Sequence, residues 1–137
     1  MSKLAKIKYY VDPEKKLVVG KASRDRSYGI ADELYDKIPG SLMDIFGSIP
    51  WRIKDIGDFA DDYFKAKAIA RDTDVFDEKV GKSIVAKKLN YKYHRSMMKR
   101  CQVLIRQFKT ILKMLDRIEG EHHCEMIKCD EELKKYE

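Results

Sequence analysis

Seven apolar residues in the C-terminal half of the chain recur at alternating intervals of four and three, and this repeat constrains the fold more than any other feature. They are Met97, Cys101, Leu104, Phe108, Ile111, Leu115 and Ile118. A 4-3 spacing over three heptads predicts an amphipathic helix whose apolar stripe packs against a core or a second helix. Met98, Ile105 and Leu112 widen the stripe, which favours a core-facing helix. Gly120 is the predicted end of this helix.

The opposite side of the same helix is predicted to be basic. Residues 79–113 contain eleven Lys and Arg and no Asp or Glu; the whole chain carries +6, so the remainder carries −5. Such segregation of charge creates a positive field that attracts polyanions. A lysine-rich face also serves simply to solvate a helix, and the sequence leaves both interpretations open. At 100° per residue, one narrow band contains Arg95, Lys99, Arg106, Lys113 and Arg117.

Aromatic rings alternate with cations in residues 90–95, which read Asn-Tyr-Lys-Tyr-His-Arg. Single-stranded nucleic acids and nucleotides are bound in this way, because cations hold phosphates while rings stack on bases. Tyr91 and Tyr93 are equally suited to completing the core. The candidate ligand-binding residues are therefore Lys92, Tyr93, Arg95, Lys99, Arg100, Arg106, Lys109 and Lys113.

The N-terminal third predicts a β-hairpin over residues 6–23. Ile7, Tyr9 and Val11 alternate with exposed positions, Asp12-Pro13 begins a turn, and residues 17–19 resume a strand. Residues 27–38 predict a helix that Pro39-Gly40 ends. A short helix over residues 41–47 and a loop over 49–57 follow, with Trp51 as a core anchor.

Residues 63–70 are ambiguous, because lysines alternate with apolar residues as in a strand while three alanines favour a helix. Acidic residues at Asp74, Asp77 and Glu78 then suit the N-terminus of a helix running to about Leu89. The predicted fold class is α+β: a small antiparallel sheet, made of the hairpin plus residues 63–70, covered by helices and followed by the long amphipathic helix. Residues 1–120 would form one domain, with 121–137 an acidic tail or short helix.

Patterns of catalytic or metal-binding chemistry are weak. Gly81-Lys82-Ser83 lacks the upstream glycine of a phosphate-binding loop, since Phe76 stands there. The soft ligands His122, His123, Cys124 and Cys129 crowd one segment without the distant pair typical of zinc sites. We expect no enzymatic activity, no metal and no cofactor. The odd number of cysteines (three), an N-terminus without an apolar run and the lack of an apolar span predict a cytoplasmic protein.

The centre of the chain resembles a loose group of small accessory proteins of tailed bacteriophages. The resemblance covers the hairpin and residues 63–115. It is carried by Phe64-Lys65-Ala66-Lys67-Ala68, Asp72, Asp74, Phe76-Asp77, Gly81-Lys82 and Ala86, which lead into a basic helix. The cysteine usual before the acidic turn is Ala70 or absent here, and residues 39–57 have no counterpart. The resemblance implies a phage origin and favours a strand at residues 63–70. It implies an anti-defence role more weakly and supplies no site residues.

Two functional hypotheses follow. In the first, a non-catalytic phage protein in the host bacterial cytoplasm uses its basic helix against a nucleic acid, a nucleotide or a host defence protein complex. In the second, the protein is structural: the seam from residue 97 to 118 pairs two copies as a homodimer, and the lysines only solvate the helix. Neither hypothesis involves a membrane.

Overall fold

The computed structural model describes residues 4–25, 30–37 and 62–137. The elements in chain order are strands β1 (Lys8–Asp12) and β2 (Leu17–Ser23), helix α1 (Ile30–Lys37), strand β3 (Tyr63–Ile69) and helix α2 (Glu78–Lys134). The strands form one antiparallel sheet in the order β1-β2-β3, which confirms the predicted α+β class.

β1 and β2 form the predicted hairpin, with Asp12 paired to Leu17 at its closed end. Asp12 Oδ1 accepts a hydrogen bond from the backbone N–H of Lys15 at 3.2 Å, and the N–H of Lys16 donates to the Pro13 carbonyl at 3.2 Å. Lys16 adopts a φ of 51°, in the left-handed region. This conformation lets four residues reverse the chain direction.

Residues 63–70, which fitted either a strand or a helix, contain strand β3. Phe64 and Ala66 are buried while Lys65 and Lys67 are exposed, so side chains alternate with the period of two expected of a strand. Pairing with β2 outweighs the helix propensity of alanine. Small side chains on the buried face instead leave room for the helix that packs there.

The core is formed by the inner face of the sheet and the N-terminal part of α2. Its helix residues recur every fourth position, and its strand residues come from β2 and β3. The buried cluster consists of Val18, Ala22, Phe64, Ala66, Val85, Leu89, Tyr93 and Met97. Full burial of one Val or Leu side chain stabilises a fold by about 1.5–3 kcal/mol, so burial of this cluster makes a large favourable contribution to folding.

Two glycines allow helix and sheet to approach closely. A Cβ at Gly20 of β2 would lie 2.3 Å from Cγ1 of Val85, and a Cβ at Gly81 of α2 would lie 2.6 Å from Cγ2 of Val18. Both distances are shorter than van der Waals contact allows. Gly81 therefore allows close packing of α2 on the sheet. This role agrees with the sequence analysis, in which Gly81-Lys82-Ser83 did not match a phosphate-binding loop.

Helix α2 is one continuous element where the sequence predicted two helices and a tail. The predicted helix ends near Leu89 and at Gly120 are wrong, since α2 runs without interruption to Lys134. A glycine inside a helix costs only about 1 kcal/mol relative to alanine. Strong helix formers such as Arg117, Glu119 and Glu121 on either side of Gly120 offset that cost. The segment predicted as an acidic tail or short helix is thus the end of α2.

The chain divides into two compact units, Met1–Gln102 (the first unit) and Val103–Glu137 (the second unit). The predicted boundary after residue 120 falls inside the second unit. Helix α1 confirms the helix predicted for residues 27–38 over the part that is described. The short helix at 41–47, the loop at 49–57 and the core role of Trp51 lie outside the described residues. Among the described helices, none has a stretch long and apolar enough to cross a membrane.

Candidate nucleic-acid interface

The acidic residues before α2 organise the start of that helix. Asp77 Oδ1 accepts hydrogen bonds from the backbone N–H groups of Lys79 at 3.0 Å and Val80 at 3.3 Å, which is an N-cap. From the hairpin turn, Lys16 Nζ donates to the carbonyls of Asp72 at 3.1 Å and Asp74 at 2.8 Å. The Lys16 contacts hold the connection between β3 and α2, and the Asp77 contacts confirm the predicted capping for that residue.

Two lysines of α2 reach back to strand β3, which lies at one edge of the described sheet. Lys88 Nζ donates to the Lys67 carbonyl at 2.8 Å, and Lys92 Nζ donates to the Lys65 carbonyl. The two donors are four residues apart on a helix and the two acceptors two residues apart on a strand. Four residues along a helix and two residues along a strand each span about 6 Å, so the two donors are spaced like the two acceptors. The ammonium groups are therefore held in place beside the strand.

Two shallow grooves that share Lys92 lie along this edge, and together they form what we call the edge groove. One has a volume of about 420 Å³ and is lined by Ala66, Lys67, Lys87, Lys88, Tyr91 and Lys92. The other has a volume of about 370 Å³ and is lined by Tyr63, Phe64, Lys65, Lys92, Arg95, Ser96 and Lys99.

The lining of the edge groove combines cations with exposed aromatic rings. Seven of the described residues that line the groove are Lys or Arg, and no Asp or Glu is among its described lining residues. Tyr63 and Tyr91 are 58% and 68% exposed. Cations crowded without counter-charges repel one another, and a bound polyanion relieves that repulsion. The arrangement suits phosphates on the cations and flat rings on the tyrosines.

A row of lysines continues the positive charge across the outer face of the sheet. Lys8 pairs with Lys21, and Lys21 pairs with Lys65 of the edge groove, so three cations lie side by side on neighbouring strands. Like charges directly opposite one another destabilise a sheet. Lys21 Nζ also lies 5.4 Å from the centroid of the Tyr10 ring, which is 58% exposed. The face thus repeats the combination of cation and aromatic ring found in the groove.

Six of the eight candidate residues from the sequence are exposed. Lys92, Arg95 and Lys99 line the edge groove. Arg106, Lys109 and Lys113 are exposed on the helix of the second unit.

The other two candidates, Tyr93 and Arg100, are buried, which argues against their predicted role as ligand-binding side chains. Tyr93 is only 2% exposed, because it continues the core stripe four residues after Leu89. Arg100 is 3% exposed, and its guanidinium is paired with Asp62 Oδ1, which also accepts from Arg24 Nε at 2.8 Å. This cluster joins the start of β3 to the end of β2 and to α2, so Arg100 acts in the fold.

The soft ligands considered for a metal site lie on the C-terminal part of α2. His122, His123, Cys124 and Cys129 are exposed. Over residues 4–25, 30–37 and 62–137 there is no group of three or more His, Cys, Asp or Glu suited to hold a metal. Burial, followed by the negative charge of Glu33, raises the pKa of the Cys101 thiol above its ordinary value. A raised pKa keeps this thiol protonated at neutral pH and hence weakly nucleophilic.

Sequence reasoning missed the contribution of the sheet to this surface. Lys65, Lys67 and Tyr63 come from β3, and Lys8 and Lys21 from the hairpin. A signal was present, because a four-residue turn that pairs Asp12 with Leu17 also pairs Lys8 with Lys21.

A scan against protein-family models found no match, and searches of curated proteins and of solved structures found no similar protein.

Proposed function

We propose that this protein is a non-catalytic binding protein that holds a phosphate-rich single strand, RNA or DNA, in the edge groove. The observation that carries the proposal is the lining of that groove: seven cations, no described carboxylate, and two largely exposed tyrosine rings. Non-specific binding of single strands depends on this combination of backbone-tracking cations and stacking platforms.

The hydrogen bonds to β3 prepare the site for its ligand. A free lysine side chain loses about 2 kcal/mol of rotamer entropy when it is immobilised. Lys88 and Lys92 are already held by the carbonyls of Lys67 and Lys65, so less of that entropy is lost on binding. Lys87, Arg95 and Lys99 are exposed and complete the phosphate contacts.

We further propose in which cell, and with what partner, this binding takes place. The resemblance to accessory proteins of tailed phages, which rests on the sequence motif, leads to a partner in the cytoplasm of an infected bacterium. That partner would be a nucleic acid, a nucleic-acid-bearing defence complex or a signalling nucleotide, and the protein would act in anti-defence. A purely structural protein would bind no oligonucleotide, so the titration below also separates the two hypotheses.

The test is a fluorescence anisotropy titration of a labelled single-stranded oligonucleotide at several salt concentrations. We expect log affinity to fall linearly with log salt, because binding releases counterions from the phosphates. The variant Lys87→Gln/Arg95→Gln/Lys99→Gln should bind more weakly. Its salt slope should be smaller by about 2, since each phosphate contact on a single strand contributes about 0.7.

A matched control removes the same charge elsewhere. Lys15→Gln/Lys79→Gln/Lys135→Gln changes three exposed cations that do not line the edge groove. Equal losses in the two triple variants would mean that bulk charge, and not the groove, attracts the strand. Full binding by the groove variant would overturn the proposal.

The tyrosines are tested separately. Tyr63→Ala and Tyr91→Ala should each weaken binding by about 1–3 kcal/mol while leaving the salt slope unchanged, because stacking contributes without releasing counterions. A partner that binds only through phosphates would be insensitive to both changes, and the assignment of a base-stacking single strand would then fail.

A further inference from the structure

The second unit presents apolar side chains that its own helix cannot cover. Along α2, Ile105 is 51% exposed, Leu112 60%, Leu115 56%, Met126 61% and Leu133 64%. A helix in water is held mainly by packing of its apolar stripe, and exposed apolar stripes are typical of association surfaces.

These residues belong to a 3-4 repeat that continues to the end of the helix. The positions are Ile105, Phe108, Leu112, Leu115, Glu119, His122, Met126, Cys129 and Leu133. The spacing is that of a two-helix coiled coil over four heptads. This repeat shares Phe108 and Leu115 with the seam predicted from residue 97. It contains Ile105 and Leu112, which are 51% and 60% exposed, where that seam has Leu104, which is buried, and Ile111, which is 49% exposed.

Charge along this helix is strongly asymmetric. Residues 103–117 contain four Lys or Arg and one Asp, a net charge of +3. Residues 118–134 contain six Asp or Glu and two Lys, a net charge of −4. Two parallel copies would place like-charged halves together, and two antiparallel copies would place the basic half of each beside the acidic half of the other. Charge complementarity therefore favours a second copy running in the opposite direction.

The order of the repeat supports the same alignment. When two antiparallel copies are centred on residues 120 and 121, Leu112 meets Cys129 of the partner subunit and Leu115 meets the partner's Met126. In the same alignment Glu119 meets His122 of the partner subunit. A parallel pair would instead set Glu119 against Glu119 of the partner subunit. The polar residues of the repeat match each other only in the antiparallel register.

We propose that this chain forms an antiparallel homodimer through α2, in which residues 108–133 of two copies pack with Leu112 opposite the partner's Cys129. The charged residues beside the repeat agree with this register, because Lys109 lies next to Asp130 of the partner subunit. Symmetry provides each contact twice. The proposal does not depend on oligonucleotide binding, which concerns the first unit.

Disulfide trapping tests the register in the full chain. In the background Cys101→Ala/Cys124→Ser, Cys129 is the one cysteine left. Adding Leu112→Cys should give a cross-linked dimer under mild oxidation, because a disulfide needs Cα atoms within about 7 Å. Cys129 alone should give none, since in this register it lies about 25 Å along the axis from the partner's Cys129. Rapid cross-linking of Cys129 alone would identify a parallel pair and overturn the proposal.

A charge exchange tests the direction without cysteines. Lys109→Asp and Asp130→Lys should each raise the dimer dissociation constant about tenfold, because two attractive contacts become repulsive. The double variant should return to within about twofold of the wild type. Both residues are exposed, so the fold should be unaffected, and circular dichroism checks that. A monomer in sedimentation equilibrium, or a double variant no better than the singles, would contradict the antiparallel dimer.

Discussion

In the first unit, Val85 and Leu89 of helix α2 are completely buried against the sheet, whereas in the second unit Ile105 and Leu115 of the same helix are about half exposed. Both stretches carry apolar residues at helical spacing. The first packs against β2 and β3, and the absence of a side chain at Gly20 and Gly81 allows the helix and the sheet to come close together. Along the second, apolar side chains such as Ile105, Leu112 and Leu115 are about half exposed or more.

The comparison shows that a helical repeat specifies a face but not what covers it. In the first unit the covering element is a sheet built from residues far away in the sequence. In the second unit charge and register point to another copy of the chain. Substitutions in the two units should therefore differ in their effects.

A charge placed in each apolar stripe should have different consequences. Leu89→Asp should lower the free energy of unfolding of the first unit by about 4 kcal/mol or more, because it buries an unpaired carboxylate. Leu115→Asp should leave the first unit folded and weaken association of the chains. Urea unfolding and sedimentation equilibrium measure the two effects, and loss of the first unit's fold in Leu115→Asp would break the comparison.

Ion pairs should differ in the same way between the units. Asp62→Ala removes the carboxylate that pairs with buried Arg100, which should cost about 2–3 kcal/mol of stability. Lys128→Ala removes an exposed pair with Glu125 in the second unit, and its effect should stay below about 1 kcal/mol. Chemical denaturation of both variants provides the measurement. Equal effects would show that burial does not set the strength of the Asp62 cluster.

Substitution of glycine by alanine should have opposite signs in the two units. Gly20→Ala should destabilise by about 1–3 kcal/mol, because the new Cβ would lie 2.3 Å from Val85 Cγ1 and force it to move. Gly120→Ala should stabilise the helix by up to about 1 kcal/mol, because beyond its chain neighbours and the adjacent helix backbone no atom lies within 4 Å of the added Cβ. Thermal unfolding followed by circular dichroism compares the two, and a stabilising Gly20→Ala would contradict the close packing.

Thiol reactivity provides the smallest contrast. Cys101 is partly buried with a raised pKa, whereas Cys124 is exposed and lies outside the proposed dimer repeat. Cys101 should therefore react more slowly with a disulfide reagent at pH 8, and its rate should keep rising with pH as the thiolate forms. Single-cysteine variants allow each rate to be measured by absorbance. Equal rates for Cys101 and Cys124 would show that local opening exposes the first unit's helix.

Much of the fold could be predicted from local patterns. Alternation and turn residues predict the hairpin, and heptad spacing predicts a long C-terminal helix. The continuity of α2 through Gly120 could not be predicted from a local stop signal, because flanking helix formers override it. The residues of β3 alone do not separate a strand from a helix, since three alanines favour a helix. The resemblance favoured the strand, and pairing with β2 stabilises it.

The candidate site was predicted only in part. Lys92, Arg95 and Lys99 could be found from their spacing on the helix. Tyr93 could have been excluded, because residues 85, 89, 93 and 97 form a stripe of their own. The burial of Arg100 depends on Asp62, which is 38 residues away in the sequence, and no local pattern records such a contact.

The hydrogen bonds from Lys88 and Lys92 to strand β3 have a consequence for solubility. An edge strand with free carbonyls is a template on which another chain can add a strand, and proteins protect such edges with charge. Here two ammonium groups occupy the acceptors and also repel a second basic edge. We expect Lys88→Ala/Lys92→Ala to form β-rich aggregates faster than the wild type in light-scattering and thioflavin assays. An unchanged rate would show that the lysines are not needed to protect the edge. Acetylation of these two lysines, which removes their charge, should therefore promote the same aggregation.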